Sequence, residues 1–498
     1  VNILFVLSAT FYVFSMLFIF SYALSQVHLL IQYKSKNSKK VNSDQQELQY
    51  FPSVTIQLPI YNERFVVERL IDSVCKINYP NEKLQIQVLD DSTDDSSTIT
   101  LEKIKEWRKK GVDIVWEHRV DRSGFKAGAL KKGLNDAKGE LIAIFDSDFI
   151  PNEDFLLNTV RHFKDPKVGV VQTRWEHINR EESILTKIQA LALDAHFTIE
   201  QGGRNHYGAF INFNGTAGIW RKSCILDAGN WEADTLTEDL DLSYRAQLKG
   251  WKFIYKEAIG SPAELPSIMS AVKSQQYRWN KGGAEVARKA LPTLFQSNFP
   301  FSVKMHGMFH LLNSSVFVAV LVAGISSFPL AHYISINTEW QGMLRIGILF
   351  LILTAVLGIN FYTGFKKCGN GNLLGFLIQF PVFLCMSMGL AVHNSIAVLE
   401  GLAGKKTPFI RTPKAGNTLL GQNSYFKSEI SESTWIELSL GWYFTFAIVW
   451  GVLNGFYAFL LFHAMLAIGF FSIAGITILH DLKLRKALIK YSTHPNSN

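Results

Sequence analysis

The chain has 498 residues, 48% of them hydrophobic, and a formal charge of +8. Long apolar runs crowd both ends around a middle that reads as an enzyme, which excludes an ordinary soluble protein and assigns the basic excess to membrane flanks rather than to nucleic acid. The four cysteines, Cys75, Cys224, Cys368 and Cys385, are scattered without C-x-x-C spacing, which excludes a disulfide framework and a zinc site.

Residues 2–24 are almost wholly apolar, and the run continues to Ile31. A bilayer core needs ~20 helical residues. The basic residues Lys34, Lys36, Lys39 and Lys40 follow the run instead of preceding it. That order predicts an uncleaved anchor over 1–32 with its C-terminal side in the cytosol, then a basic linker over 33–52.

From 53 to 291 the pattern predicts a cytosolic domain. Ser53–Pro59, Leu84–Leu89, Val112–Trp116, Leu141–Phe145 and Val168–Gln172 read as short strands rich in β-branched residues. Helical stretches fall near 63–77, 95–110 and 126–138. The alternation predicts an α/β fold with a mostly parallel sheet covered on both faces, whose ligands bind at the carboxyl ends of the strands.

Apolar runs then return. Met308–Ile334 and Ile346–Tyr362 predict two spans within 292–365, and Leu438–Leu479, divided near Asn454 and Gly455, predicts two more within 438–480. Leu373–Leu399 is apolar too, but carries Gln379, Pro381, His393 and Asn394. If it crossed, the basic loop with Lys405, Lys406, Arg411 and Lys414 and the basic tail 481–498 would lie outside. We therefore expect 366–437 to hold an interfacial or re-entrant helix and a loop, giving about five true spans.

Polar motifs punctuate the strand ends. Pro59, Tyr61, Asn62 and Glu63 follow the first strand, where a turn faces the ligand crevice. Asp90 and Asp91 end the second, where carboxylates can bond a nucleobase or ribose or simply cap a helix. Asp146 and Asp148 follow the buried strand Leu141–Phe145. Carboxylates at i and i+2 on extended chain point the same way and suit a hard cation such as Mg²⁺ or Mn²⁺ held with phosphate oxygens.

Lys126 opens a helix among small residues, which lets backbone and ammonium meet a phosphate. Thr237-Glu238-Asp239 offers a general base, and the residues alone do not choose between the two carboxylates. Gln275, Arg278 and Trp279 share one helical face, combining donors for hydroxyl or phosphate with a flat surface for a sugar ring.

The order D…D-x-D…T-E-D…Q-x-x-R-W, carried by QVLDDSTD (87–94), FKAGALKKG (125–133), FNGTAGIWR (213–221), EDLDLSYRAQLKGWKF (238–253) and QQYRW (275–279), resembles the processive family 2 glycosyltransferases. Within them it is most similar to the cellulose-synthase-like mannan and glucan backbone synthases of plants and their bacterial relatives. The resemblance implies a GT-A-type nucleotide-sugar-binding domain inserted between membrane helices. It implies that Pro59, Tyr61, Asn62, Glu63, Asp90, Asp91, Lys126 and Asp146 hold the donor, and that Asp146 and Asp148 serve the metal. Asp239 is then the base with Glu238 beside it, and Gln275, Arg278 and Trp279 stand where acceptor and diphosphate meet. Phe409, Thr412 and Lys414 match an F-x-V-T-x-K gating loop, with Arg411 in place of the valine.

The implied reaction is a single inverting displacement that moves a hexose from GDP-mannose, UDP-glucose or GDP-glucose to the end of a β-linked glycan. The implied setting is a lipid bilayer with the catalytic domain in the cytosol, at a bacterial inner membrane or, alternatively, a Golgi membrane. A non-processive transferase acting on a lipid shares the donor site and is separated by product length. A transporter or inactive scaffold is disfavoured, since the spans show no inverted repeat and every acidic motif is intact.

Overall fold

The computed structural model describes residues 3–37, 50–369, 372–410, 412 and 430–493. Seven strands form one sheet: β1 (Val54–Ile60), β2 (Leu84–Asp90), β3 (Ile114–His118), β4 (Leu141–Ile144), β5 (Val168–His177), β6 (Gly218–Arg221) and β7 (Lys252–Ala263), in the order β3-β2-β1-β4-β6-β5-β7. β3, β2, β1 and β4 are mutually parallel, and β6 runs antiparallel to both β4 and β5. All five expected strands form, and the expected helices appear as Val67–Cys75, Ser96–Lys109 and Phe125–Asp136. Sequence reading missed β6 and β7. β6 has only four residues, too few to show a period, and β7 carries Lys256, Glu257, Gly260 and Pro262 within its run.

Both faces of the sheet are dry. Ile56, Leu58, Val88, Leu141 and Phe145 join one apolar cluster, while Leu89, Ile142, Ile144, Leu130 and Trp220 join the other. In the parallel register Ile60 pairs with Asp90, and Gln57 pairs with Ile144. The acidic and polar residues that follow β1, β2 and β4 therefore emerge along one edge.

Four described helices are long and apolar enough to cross a membrane: Ile3–Ser35, Ser315–Ile336, Glu432–Leu453 and Leu460–Ala487. Ile346–Lys367 is a further apolar helix of 22 residues. Phe5, Tyr12, Met16, Leu330, Phe444 and Leu466 knit the first of these helices to the later ones. The run expected as one span from Met308 is broken. A short helix, Phe301–Leu311, ends before Ser315–Ile336 begins, and between them the Ser314 hydroxyl donates at 2.6 Å to Asn280 Oδ1.

Leu373–Gly389 and Ala391–Ala403 form a pair bent by 51°. Gly389 lies so close to Gly469 that a Cβ there would meet the Gly469 carbonyl oxygen at 2.2 Å, and beyond the bend His393 bonds the Lys273 carbonyl. The segments flanking this pair both meet the sheet domain. Arg174 donates to Cys368 Sγ at 3.2 Å on one side, and Lys406 donates to the Asp234 carbonyl at 2.6 Å on the other.

Candidate active site

A cleft lies over the carboxyl edge of the sheet. Its wall includes Pro59 near the end of β1 with Tyr61 and Glu63 after it, Asp91 after β2, Lys126 from the helix Phe125–Asp136, Asp146 and Asp148 after β4, Glu238 and Asp239 at a helix start, and Gln275, Arg278 and Trp279 from the helix Met269–Gln296. Phe409 and Thr412 close one side. Residues far apart in sequence are thus brought together, except for two. Asn62 and Asp90 stand beside the cleft rather than on its wall.

Asp90 is fully buried and accepts from the Ser92 amide at 2.9 Å and the Trp116 indole at 3.1 Å. Asn62 sits at φ 54°, in the left-handed region that Asn tolerates better than most residues. Its amide N–H donates to Ser92 Oγ at 2.8 Å, and its Oδ1 accepts from the Thr93 amide at 2.8 Å. It therefore laces the β1 and β2 loops together. Asp91 is gripped by Arg119, whose Nε donates to Oδ1 at 2.7 Å and whose Nη2 donates to Oδ2.

The charged centre is built around Lys126. Its ammonium donates to Asp146 Oδ1 at 2.6 Å and to the Gly215 carbonyl at 2.9 Å. Burial opposes this charge, but Asp146, Glu238 and Asp239 more than offset it and hold the lysine above its ordinary value. Gly215 has φ +79°, and a Cβ there would come within 3.0 Å of Asp239 Oδ2. Only glycine gives both that turn and that approach.

Glu238 and Asp239 open the helix Glu238–Leu248, where the dipole favours carboxylates. Burial still dominates. It raises Glu238, and burial followed by the negative charge of Glu238 pushes Asp239 up to about 7, with Lys126 pulling the other way. An acid poised near neutrality can both take and return a proton.

The helix carrying Gln275, Arg278 and Trp279 meets the loop beyond Ala403. Arg278 donates to Thr412 Oγ1 at 2.7 Å and lies over the Phe409 ring, 4.8 Å from its centroid. Phe409 stacks on Phe125, beside Lys126, at 5.6 Å. Lys414 lies outside the described residues.

Arg122, Trp175 and His177 are among the cleft-wall residues that escaped the sequence reading. Arg122 stacks 3.3 Å above the centre of the Tyr61 ring. Trp175 and His177 project into the wall from the far end of β5. Trp175 stands 6.4 Å from Trp279, and strand alternation past Gln172 was the available signal for it.

Among the described residues, one group of three acidic side chains is close enough to enclose a metal: Glu232, Asp234 and Asp241, away from the cleft centre. Lys289 bridges all three at 2.6, 2.9 and 3.0 Å, which supplies the positive charge a cation would bring. In the cleft, Asp146 and Asp148 offer two hard oxygen donors. They fit a divalent cation whose remaining ligands are phosphate oxygens.

A second cavity adjoins the first and shares Trp175, Asn214, Thr237, Asp239 and Trp279 with it. It runs between the apolar helices and is lined there by Gln26, Asn280, Asn313, Asn360 and Ser387. The side-chain amide of Asn360 is buried, with neither its nitrogen nor its oxygen bonded to another of the described residues.

Comparison with known proteins agrees with this geometry. A family model described as "Glycosyltransferase like family 2" matches residues 52–282. "Probable glucomannan 4-beta-mannosyltransferase 4" of Oryza sativa subsp. japonica is 38% identical over 365 residues, 71% of this chain and 63% of that protein. Here the chain spans less than two thirds of its relative. Glucomannan 4-beta-mannosyltransferase 7 of Arabidopsis thaliana is 34% identical over 84% of this chain and 76% of its own length. Among solved structures, the mannosyltransferase PcManGT of Pyrobaculum calidifontis, determined with GDP-Man and Mn2+, superposes with a TM-score of 0.50 at 18% identity, over 78% of this chain and 100% of that one. That likeness speaks for the fold. The chain belongs to glycosyltransferase family 2, among the relatives of the glucomannan 4-beta-mannosyltransferases.

Proposed function

We propose that the protein is a membrane-embedded inverting hexosyltransferase that lengthens a β-linked mannan- or glucan-type chain, with GDP-mannose as the leading donor. The observation that carries this reading is the position of Asp239 on the wall of both cavities. A donor in the acidic cleft and the end of a long acceptor in the second cavity would meet at its carboxylate. The polar lining between apolar helices supports a glycan path, because polar groups at membrane depth face a cavity or a partner. The names of the relatives support mannose as the sugar.

Asp239 takes the proton from the acceptor hydroxyl, and that oxygen forms its bond to the anomeric carbon. The bond from that carbon to the diphosphate oxygen breaks on the opposite face, inverting the configuration. Lys126 and Arg278 bear the negative charge left on the diphosphate, and Trp175 and Trp279 offer faces for sugar rings. Mg²⁺ or Mn²⁺ held by Asp146 and Asp148, when bound, supplies further charge stabilisation to the leaving group.

The contacts of Cys368 and Lys406 with the sheet domain support the bent pair as re-entrant. The loop that follows it and the tail would then both be cytosolic. The relatives named above are plant proteins, which lends no support to a bacterial inner membrane.

The test is a donor screen on the detergent-solubilised full chain with Mg²⁺ or Mn²⁺, measuring nucleotide release and product length beside an Asp239→Asn variant. GDP release from GDP-mannose with a long β-mannanase-sensitive product, reduced ~10²–10⁴-fold in the variant, is expected. A product of one hexose on a lipid would overturn chain lengthening.

A further inference from the structure

Three membrane-side helices grip the first turn of the helix that presents Gln275, Arg278 and Trp279. The Met269 N–H begins this helix, and its N-cap residue Ile268 offers no side-chain bond. His480, from the helix Leu460–Thr493, accepts that N–H through Nδ1 at 3.1 Å. His393, from Ala391–Ala403, donates through Nε2 to the Lys273 carbonyl at 2.8 Å. Glu437, from Glu432–Leu453, takes the Lys273 ammonium on both carboxylate oxygens at 2.8 Å. The side chains of this last pair are 6% and 0% exposed.

A dry ion pair adds little net stability over a well-packed apolar pair, because desolvation consumes the attraction. It does impose one geometry, since each partner left alone is a buried charge. Lys273 lies one to two helical turns before Arg278 and Trp279, and an α-helix transmits position and rotation over that length, about 1.5 Å per residue. Arg278 in turn holds Thr412 and stacks on Phe409. The buried pair thus stands between a membrane helix and three residues on the cleft wall.

We propose that Lys273 and Glu437 are positioning residues for hexose transfer. The pair sets the register of the helix so that Gln275, Arg278 and Trp279 meet donor and acceptor, and it makes transfer depend on how the membrane helices are seated. This rests on the transferase reading above.

The test compares the wild-type full chain in detergent with Lys273→Met/Glu437→Met and Lys273→Gln/Glu437→Gln. The methionine pair removes both charges at similar volume. We expect its melting temperature to stay close to wild type while kcat falls about 10- to 100-fold, since a misplacement near 1 Å costs ~10²-fold. The glutamine pair, which keeps a hydrogen bond, is expected to recover part of that kcat. A methionine pair with wild-type kcat, or with kcat and melting temperature lost together, would overturn positioning. If the methionine pair does not purify folded, Glu437→Gln alone decides, with reduced kcat expected and unchanged kcat overturning. Hydrogen exchange of amides 273–280 in the same samples does not depend on transfer. Faster exchange in the variants supports the proposal, and unchanged exchange overturns it. A wild type that binds GDP yet transfers no hexose overturns the transferase reading alone.

Discussion

At the scale of single residues, Asp239 carries the sharpest expectations. A base must be ionised to act, and burial with Glu238 beside it raises Asp239 to about 7 in the free protein. Transfer measured as kcat/KM, which reports the free enzyme, is therefore expected to fall as pH drops through that value. Stability follows the opposite direction. The folded state holds the Asp239 proton more tightly than the unfolded chain does, so this residue costs stability as pH rises from about 4 through 7. Asp239→Asn should raise the melting temperature more at pH 8 than at pH 5. An equal gain at both pH values would contradict the shift. The sequence alone left Glu238 and Asp239 undecided as base, and our proposal of Asp239 rests on which carboxylate reaches both cavities. Asp239 lines both, and Glu238 lines the first.

At the scale of elements, the strand-end loops are the working parts, and Asn62 joins two of them. Valine at its φ of 54° would meet a left-handed penalty of roughly 1–2 kcal/mol and would also lose the side-chain bond to the Thr93 amide, while its own backbone N–H could still reach Ser92. Asn62→Val should thus lower stability by about 2 kcal/mol, whereas Asn62→Gly should cost about 1, in chemical unfolding of the full chain. Asp90 teaches a related lesson. Its motif marked the right edge of the sheet, but its carboxylate turns inward to Ser92 and Trp116. Asp90 is the last residue of β2 and is buried, whereas Asp91, just past the strand, reaches the cleft wall. Trp175 and β6 were hidden for another reason. One lies past the apolar run of its strand, and the other is four residues in a long irregular stretch.

At the scale of the whole molecule, the decisive contacts join the membrane helices to the catalytic domain. If the bent pair Leu373–Gly389 and Ala391–Ala403 is re-entrant, cysteines placed at Lys405 and Lys486 should react with an impermeant thiol reagent from the same side of sealed vesicles as one at Lys131. Labelling of Lys405→Cys and Lys131→Cys from opposite sides would contradict it. The sequence by itself determined the α/β alternation, the acidic and basic motifs with their order, and the apolar helices, because period, composition and strand-end position are local properties. Only the tertiary structure decided that Asp90 faces inward, that Lys126 sits among three carboxylates, that Asp239 borders two cavities, and that Lys273 is locked to Glu437. Each depends on the distance between residues remote in the chain, and that distance is set by packing rather than by spacing.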